Sequence, residues 1–132
     1  MAVNVLVVDD SAVMRAMILK SLRMSGIDLG TTREATNGQE GLDALRDAPV
    51  DIVIVDINMP VMTGEEMIER MKADPALRDL PVLIISTEGS RARQERLREL
   101  AASFIHKPFA PEKIRDTIQT MLKTGGRDDG EN

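Results

Sequence analysis

The chain has no cysteine, no tryptophan and no tyrosine, and its 132 residues include one histidine and two phenylalanines, Phe104 and Phe109. Without cysteine there is no thiol chemistry and no disulfide framework. With so few aromatics the core has to be aliphatic, with methionine as filler, and tryptophan fluorescence offers no probe. Positive charge is also short: the formal net charge of -5 argues against a groove for nucleic acid, which needs clustered Lys and Arg to neutralise phosphates. No apolar stretch approaches the ~20 residues that span a bilayer, and no basic region precedes the short apolar run at the N-terminus. These features point to a soluble, cytoplasmic protein that engages neither nucleic acid nor membrane. The length suits one domain with one core.

What is present centres on VDIVIVDINMP, residues 50–60. Ile52 to Val55 form an unbroken β-branched run, as in a strand covered on both faces. Asp56 ends it, followed by Asn58 and the turn-forming Met59-Pro60. Val3 to Val8 is a second run, all apolar apart from Asn4, closed by Asp9-Asp10-Ser11. Helical periodicity then begins at Ala12 and stops near Gly26. Thr31 to Ala35 reads as an edge strand, and Leu42 and Leu45 mark a helix that ends near Pro49. Met67, Ile68 and Met71 stripe a helix closed before Asp74-Pro75. Val82 to Ile85 is the next strand, capped by Ser86-Thr87-Glu88-Gly89. A charged helix over 90–102 follows, with ion pairs such as Arg91 with Glu95 expected on a solvated face. Phe104 to His106 is a last short strand before Lys107-Pro108, and Ile114, Ile118, Met121 and Leu122 stripe the final helix. The expected domain spans residues 1–123, with 124–132 as a flexible polar tail.

Five strands alternating with five helices give an α/β fold with a parallel sheet covered on both faces. Because the crossovers are right-handed, every strand delivers its following residue to the same sheet edge. Asp9, Asp10, Asp56, Ser86 and Lys107 are therefore predicted to converge. Three carboxylates meeting there repel, by about 4 kcal/mol per pair at ~4 Å and an effective dielectric near 20. A hard divalent cation such as Mg²⁺ relieves this, with Asp9, Asp10, Asp56 and the backbone carbonyl of Asn58 as candidate ligands. Asp56 could then act as a nucleophile towards a phosphoryl group, with Lys107 and Ser86 to stabilise the incoming charge. Each piece has a plainer use: Asp-Asp-Ser as a helix cap, Lys107 as a solvated loop lysine, Ser86 as a turn residue, Phe104 as core, His106 as surface packing.

The segments VLVVDDS (5–11), DIVIVDINMP (51–60), PVLIIS (81–86) and FIHKPF (104–109) together resemble those of a response regulator receiver domain, and the likeness runs from Val3 to Leu122. The resemblance implies a flavodoxin-like (βα)5 sheet of order 2-1-3-4-5. It also implies Asp56 as phosphoacceptor, Asp9 and Asp10 as Mg²⁺ acids, Ser86 as switch hydroxyl, Lys107 as phosphate partner, Phe104 as switch aromatic and a cis Lys107–Pro108 bond. Asn58 and Glu88 are expected to flank the approach of water and tune the phosphoryl lifetime. A sensor histidine kinase is the implied donor. A downstream protein would bind the face made by the fourth helix, fifth strand and fifth helix.

The opening VVDDSAVMR and the lack of an effector domain look like a stand-alone, chemotaxis-type regulator. Such a chain catalyses only its own phosphorylation and dephosphorylation. The alternatives are a receiver fragment of a larger response regulator or hybrid kinase, a phosphorylation-independent scaffold, and a Mg²⁺-dependent aspartyl phosphohydrolase. The last commonly carries an acid two residues after its nucleophile, where this chain has Asn58.

Overall fold

The apolar runs become five parallel strands: β1 (Val3–Val8), β2 (Leu29–Ala35), β3 (Ile52–Val55), β4 (Val82–Ser86) and β5 (Ser103–His106). Between and after them lie α1 (Ala12–Met24), α2 (Gly38–Asp47), α3 (Gly64–Ala73), α4 (Arg91–Leu100) and α5 (Pro111–Gly125). The structure, a computed structural model, describes residues 2–87, 89–101 and 103–125. The sheet order is β2-β1-β3-β4-β5, the flavodoxin-like order that the resemblance implied. The chain starts mid-sheet, winds outward to β2, then returns past β1 to lay down β3, β4 and β5. This reversal opens a crevice at the carboxyl ends of β1 and β3, where doubly wound sheets bind ligands.

The period-two alternation of strand side chains splits the core into two layers. Leu6, Val8, Val53, Val55, Val82 and Ile84 face α2, α3 and α4, burying Leu42, Leu45, Met67, Ile68, Met71 and Leu97. Val5, Val7, Ile52, Ile54, Leu83, Ile85 and Ile105 face α1 and α5, burying Ile18, Leu22, Ile114, Ile118 and Met121. The central strands β1, β3 and β4 have residues in both layers, which is why they read as continuous apolar runs rather than alternating ones.

The helices begin at the crevice edge and are capped there. Ser11, Asn37, Thr63 and Ser90 each accept a bond from a backbone amide of the first turn, and Thr63 forms a full capping box with Glu66. Gly26, at φ +83°, turns the chain after α1.

Three sequence expectations shift. The edge strand β2 starts at Leu29, not Thr31. Asn4, the polar break in β1, explains this: its side-chain oxygen accepts from the Thr31 amide at 2.8 Å while the ladder slips register between Val3 and Val5. Helix α5 runs through Gly125, two residues into the stretch read as a tail, and residues 126–132 lie outside the described residues. Among the described residues, the ion pairs of α4 run outward instead of linking Arg91 to Glu95: Arg93 and Arg96 both bind Glu65 at the start of α3.

Candidate functional site

The β1–α1 turn presents the first two acids. Ser11, not either aspartate, caps α1 by accepting from the Met14 amide at 3.2 Å. Asp9 is buried and held from several sides. Its amide donates to the Ala35 carbonyl (3.0 Å), and its Oδ1 accepts from the Ser11 amide (2.9 Å). Asp10 is exposed. The capping use expected of this triplet thus falls to the Ser11 hydroxyl, which leaves both carboxylates outside the cap.

Asp56 follows β3 and is 9% exposed. Its amide bonds to the Val8 carbonyl at 2.9 Å, so it sits beside the end of β1, and the Ile57 amide donates to its Oδ1 at 2.8 Å, which orients the carboxylate. Carboxylate oxygens of Asp9, Asp10 and Asp56 all lie within 4.8 Å of one another. Lys107 reaches this cluster from beyond β5. Its Nζ is 3.3 Å from Asp9 Oδ2 and 3.6 Å from Asp56 Oδ1, and its backbone amide donates to the Ser86 carbonyl at 2.8 Å. The peptide bond from Lys107 to Pro108 is cis, as the resemblance implied. Ser86 is fully buried at the end of β4, opposite His106 in the ladder.

Burial raises the Asp56 carboxyl above its ordinary value; the Lys107 ammonium opposes this, Asp9 adds to it, the Ile57 amide opposes it and Asp10 adds slightly. Three carboxylates against one ammonium leave an excess of two negative charges in a part-buried site. An all-oxygen donor set with that excess, one acid buried and another open to solvent, fits a hard divalent cation that keeps several waters.

Of the remaining predicted residues, Asn58 is exposed just past Asp56, and Glu88 lies outside the described residues. Phe104 pairs with Ile84 across the β4–β5 ladder, is half-buried, and has the Arg98 guanidinium 5.2 Å above its ring. His106 is exposed and stands apart from the acid cluster's recorded contacts.

Sequence reasoning missed Arg15. Its Nη1 donates to the Asp9 carbonyl at 2.6 Å and its Nε to Glu34 Oε1 on β2 at 2.8 Å, pinning the turn that carries both acids. No local sequence signal marks this arginine as a support for the turn. Val61 was missed too. The Met62 amide donates to the Pro60 carbonyl at 2.7 Å around Val61, whose φ is +69°, which makes a γ-turn on a β-branched residue. The buried Met59 and Met62 on either side hold this strained loop down while the Val61 side chain is 82% exposed. Since nothing about that exposure rewards the strain, Val61→Gly is expected to stabilise the fold by about 1 kcal/mol, net of the entropy that glycine adds to the unfolded chain. Urea unfolding checks it, and a lower midpoint for the variant would show that the valine is held there by packing.

Residues 5–119 match the sequence model of the response regulator receiver domain. A chemotaxis protein CheY homolog of Campylobacter jejuni is 35% identical over 124 residues, covering 92% of this chain and 94% of the relative. A protein-glutamate methylesterase/protein-glutamine glutaminase of Bacillus licheniformis is 37% identical over 134 residues, which is 95% of this chain but 36% of that longer protein. The solved structure of the chemotaxis response regulator CheY4 of Vibrio cholerae superposes with a TM-score of 0.81 at 32% identity, covering 92% of this chain and 100% of that one.

Proposed function

The chain belongs to the response regulator receiver domain family, and from that membership we propose that it is a phosphoacceptor switch of a two-component system, taking a phosphoryl group from a histidine kinase onto Asp56. One observation carries the proposal: Lys107, 51 and 98 positions along the chain from Asp56 and Asp9, brings its ammonium within 3.6 Å of the first and 3.3 Å of the second. Asp9, Asp10, Asp56 and the Asn58 carbonyl would hold Mg²⁺. When bound, that ion neutralises charge shared between the acid cluster and the phosphoryl oxygens.

An Asp56 carboxylate oxygen forms the new P–O bond as the P–N bond of the donor phosphohistidine breaks, and the leaving imidazole takes up a proton. The Ile57 amide keeps the carboxylate oriented, and Lys107 holds the incoming charge. Water attack on the acyl phosphate later releases phosphate and restores Asp56, with Asn58, exposed just past the acid, flanking its approach. The chain is thus a switch that acts on itself and does not turn over an external substrate.

In the switch, Ser86 and Lys107 turn towards the phosphoryl group and Phe104 moves into the space that Ser86 leaves, remodelling the face of α4, β5 and α5. A groove of about 470 Å³ lined by Arg98, Phe104, Lys113, Asp116 and Thr117 lies on that face. Carrying the equilibrium from 1:99 to 99:1 needs about 5.5 kcal/mol. Two charge-assisted hydrogen bonds, at ~1.5–3 kcal/mol each, supply most of it. Likeness to CheY homologues supports a cytoplasmic, chemotaxis-type role. Among the described residues no helix is long and apolar enough to cross a membrane.

Amide NMR tests the proposal with Mg²⁺ and then beryllium fluoride, a mimic of the phosphoryl group. We expect Mg²⁺ to shift the amides of residues 9–11 and 56–58, and beryllium fluoride to add saturable shifts at Ser86, Phe104 and Lys107. Lys107→Ala should keep the first set and lose most of the second beyond β4. Beryllium fluoride that leaves the wild-type spectrum unchanged in the presence of Mg²⁺ would sink the proposal.

A further inference from the structure

Helix α4 is thinly attached for an element that has to move. Leu97 is its single fully buried residue. Leu100 packs partly buried against the same core, and two of the helix's arginines converge on one carboxylate. Glu65 Oε1 accepts from Arg93 Nη2 at 2.7 Å and Oε2 from Arg96 Nη2 at 2.9 Å, so both oxygens of Glu65 are engaged by arginines one helical turn apart. The Glu65 side chain is 12% exposed, so its bond to Arg93 is part-buried, whereas the one to Arg96 comes from an exposed arginine.

Two further features give the cluster a direction. Glu65 directly follows Gly64, whose amide donates to the Ile57 carbonyl at 2.9 Å and whose α-carbon lies hard against the Asp56 backbone. The carboxylate that holds α4 is thus fixed to the loop that carries Asp56. Further along α4, Arg98 stacks over Phe104 at 5.2 Å. Helix α4 is tied on one side to the acid site and on the other to the aromatic of the output face. The tie is also incomplete: Arg93 Nε is buried and has no hydrogen-bond partner. A buried donor left unmatched costs free energy that the two bonds to Glu65 have to offset.

We propose that Glu65 is a positioning residue for α4, a latch that with Arg93 and Arg96 favours the seating in which Phe104 stays half-buried beneath Arg98. The inference rests on the receiver switch described above. In that switch Phe104 has to move inward, so the seating that keeps it beneath Arg98 competes with the phosphorylated one, and a ligand selecting the minor seating binds more weakly by the fraction of molecules already in it. Cutting the latch raises that fraction.

The test measures the apparent affinity for beryllium fluoride at saturating Mg²⁺, with ring NMR of Phe104 as a second readout. Glu65→Gln, which keeps shape and removes charge, is expected to tighten binding by about three- to tenfold. It should also move the Phe104 ring signals part of the way to their beryllium fluoride positions before any is added. Arg96→Gln leaves one arginine in place and should give a smaller change of the same sign. A merely structural role predicts a lower melting temperature with unchanged affinity and unchanged Phe104 signals, and that result overturns the latch. So does weaker binding in both variants. If the wild type takes up beryllium fluoride and the variants match it, the latch alone fails; if the wild type takes up none, the receiver proposal falls and the latch with it.

Discussion

Incubated with Mg²⁺ and acetyl phosphate, the wild-type chain is expected to gain one phosphoryl group by intact-mass analysis, and Asp56→Asn to gain none. Asparagine keeps the shape of the side chain and an oxygen for the Ile57 amide, which lies 2.8 Å from Asp56 Oδ1, but it has no carboxylate to form an acyl phosphate. Asp9 and Asp10 remain in the variant, so residual labelling at wild-type level would assign the acceptor elsewhere. The same substitution has an opposite effect on stability. Burial, outweighing the pull of Lys107, holds the Asp56 pKa in the folded protein above its ordinary value. The native state therefore binds more protons than the unfolded one between those two pH values. Stability falls as pH rises through that window, and the cost is fully present above it. Asp56→Asn removes it, so without Mg²⁺ the variant should melt above the wild type at pH 7. The gap should close as pH falls towards about 3.9, where the unfolded-state carboxyl is half protonated. Mg²⁺ at a hundred times its Kd should reverse the comparison by stabilising the wild type by about 2.7 kcal/mol. A variant that melts below the wild type at pH 7 in the absence of metal would contradict the charge excess assigned to the site.

Gly64→Ala is expected to cost the most stability for the least chemical change. A β-carbon at this position would overlap the carbonyl oxygen of Asp56 and come within 3.0 Å of its carbonyl carbon and 3.1 Å of the Ile57 α-carbon. All three atoms are backbone, so no side chain can turn aside to make room. The start of α3 has to separate from the end of β3, stretching the Gly64 to Ile57 hydrogen bond of 2.9 Å. Overpacking a close backbone contact of this kind costs about 3 kcal/mol or more. Because the displaced group is Asp56 itself, phosphoryl uptake from acetyl phosphate should fall along with stability. Gly26→Ala provides the contrast. Gly26 has φ +83° and nothing within 4 Å of an added β-carbon, so it should lose about 1 kcal/mol through backbone strain and leave phosphoryl uptake unchanged. Equal denaturant midpoints for Gly64→Ala and the wild type would show that the contact between helix and acid loop is softer than drawn.

The sequence carried the strand run Ile52–Val55, the acids that end β1 and β3, and the meeting of Lys107 with them, because each depends on rules that act over a few residues plus the handedness of the crossover. Other features depended on what a neighbouring element supplies. Periodicity showed that the charged residues of α4 face outward, but not that Glu65, 28 positions before Arg93, would accept two of its arginines in preference to a local Arg91–Glu95 pair. Asn4 reads as an interruption of β1, and only the β2 backbone beside it reveals that its side chain sets the ladder's register. Val61 has no sequence signal for a positive φ, since valine is among the least suited residues for it; the buried methionines on either side impose the turn. The closeness of Gly64 to Asp56 is a property of how α3 docks, which no local pattern carries.

Lys107 enters the acid pocket from just beyond β5, the outermost strand on its side of the sheet, whereas Asp9 and Asp56 follow strands that have neighbours on both sides. A margin can fray while the middle holds, since native proteins open locally in units weaker than the whole. Each brief detachment of β5 withdraws the cluster's nearby ammonium and leaves three carboxylates facing one another. Integrity of the pocket is therefore governed by how firmly β5 docks, more than by the strength of the interior.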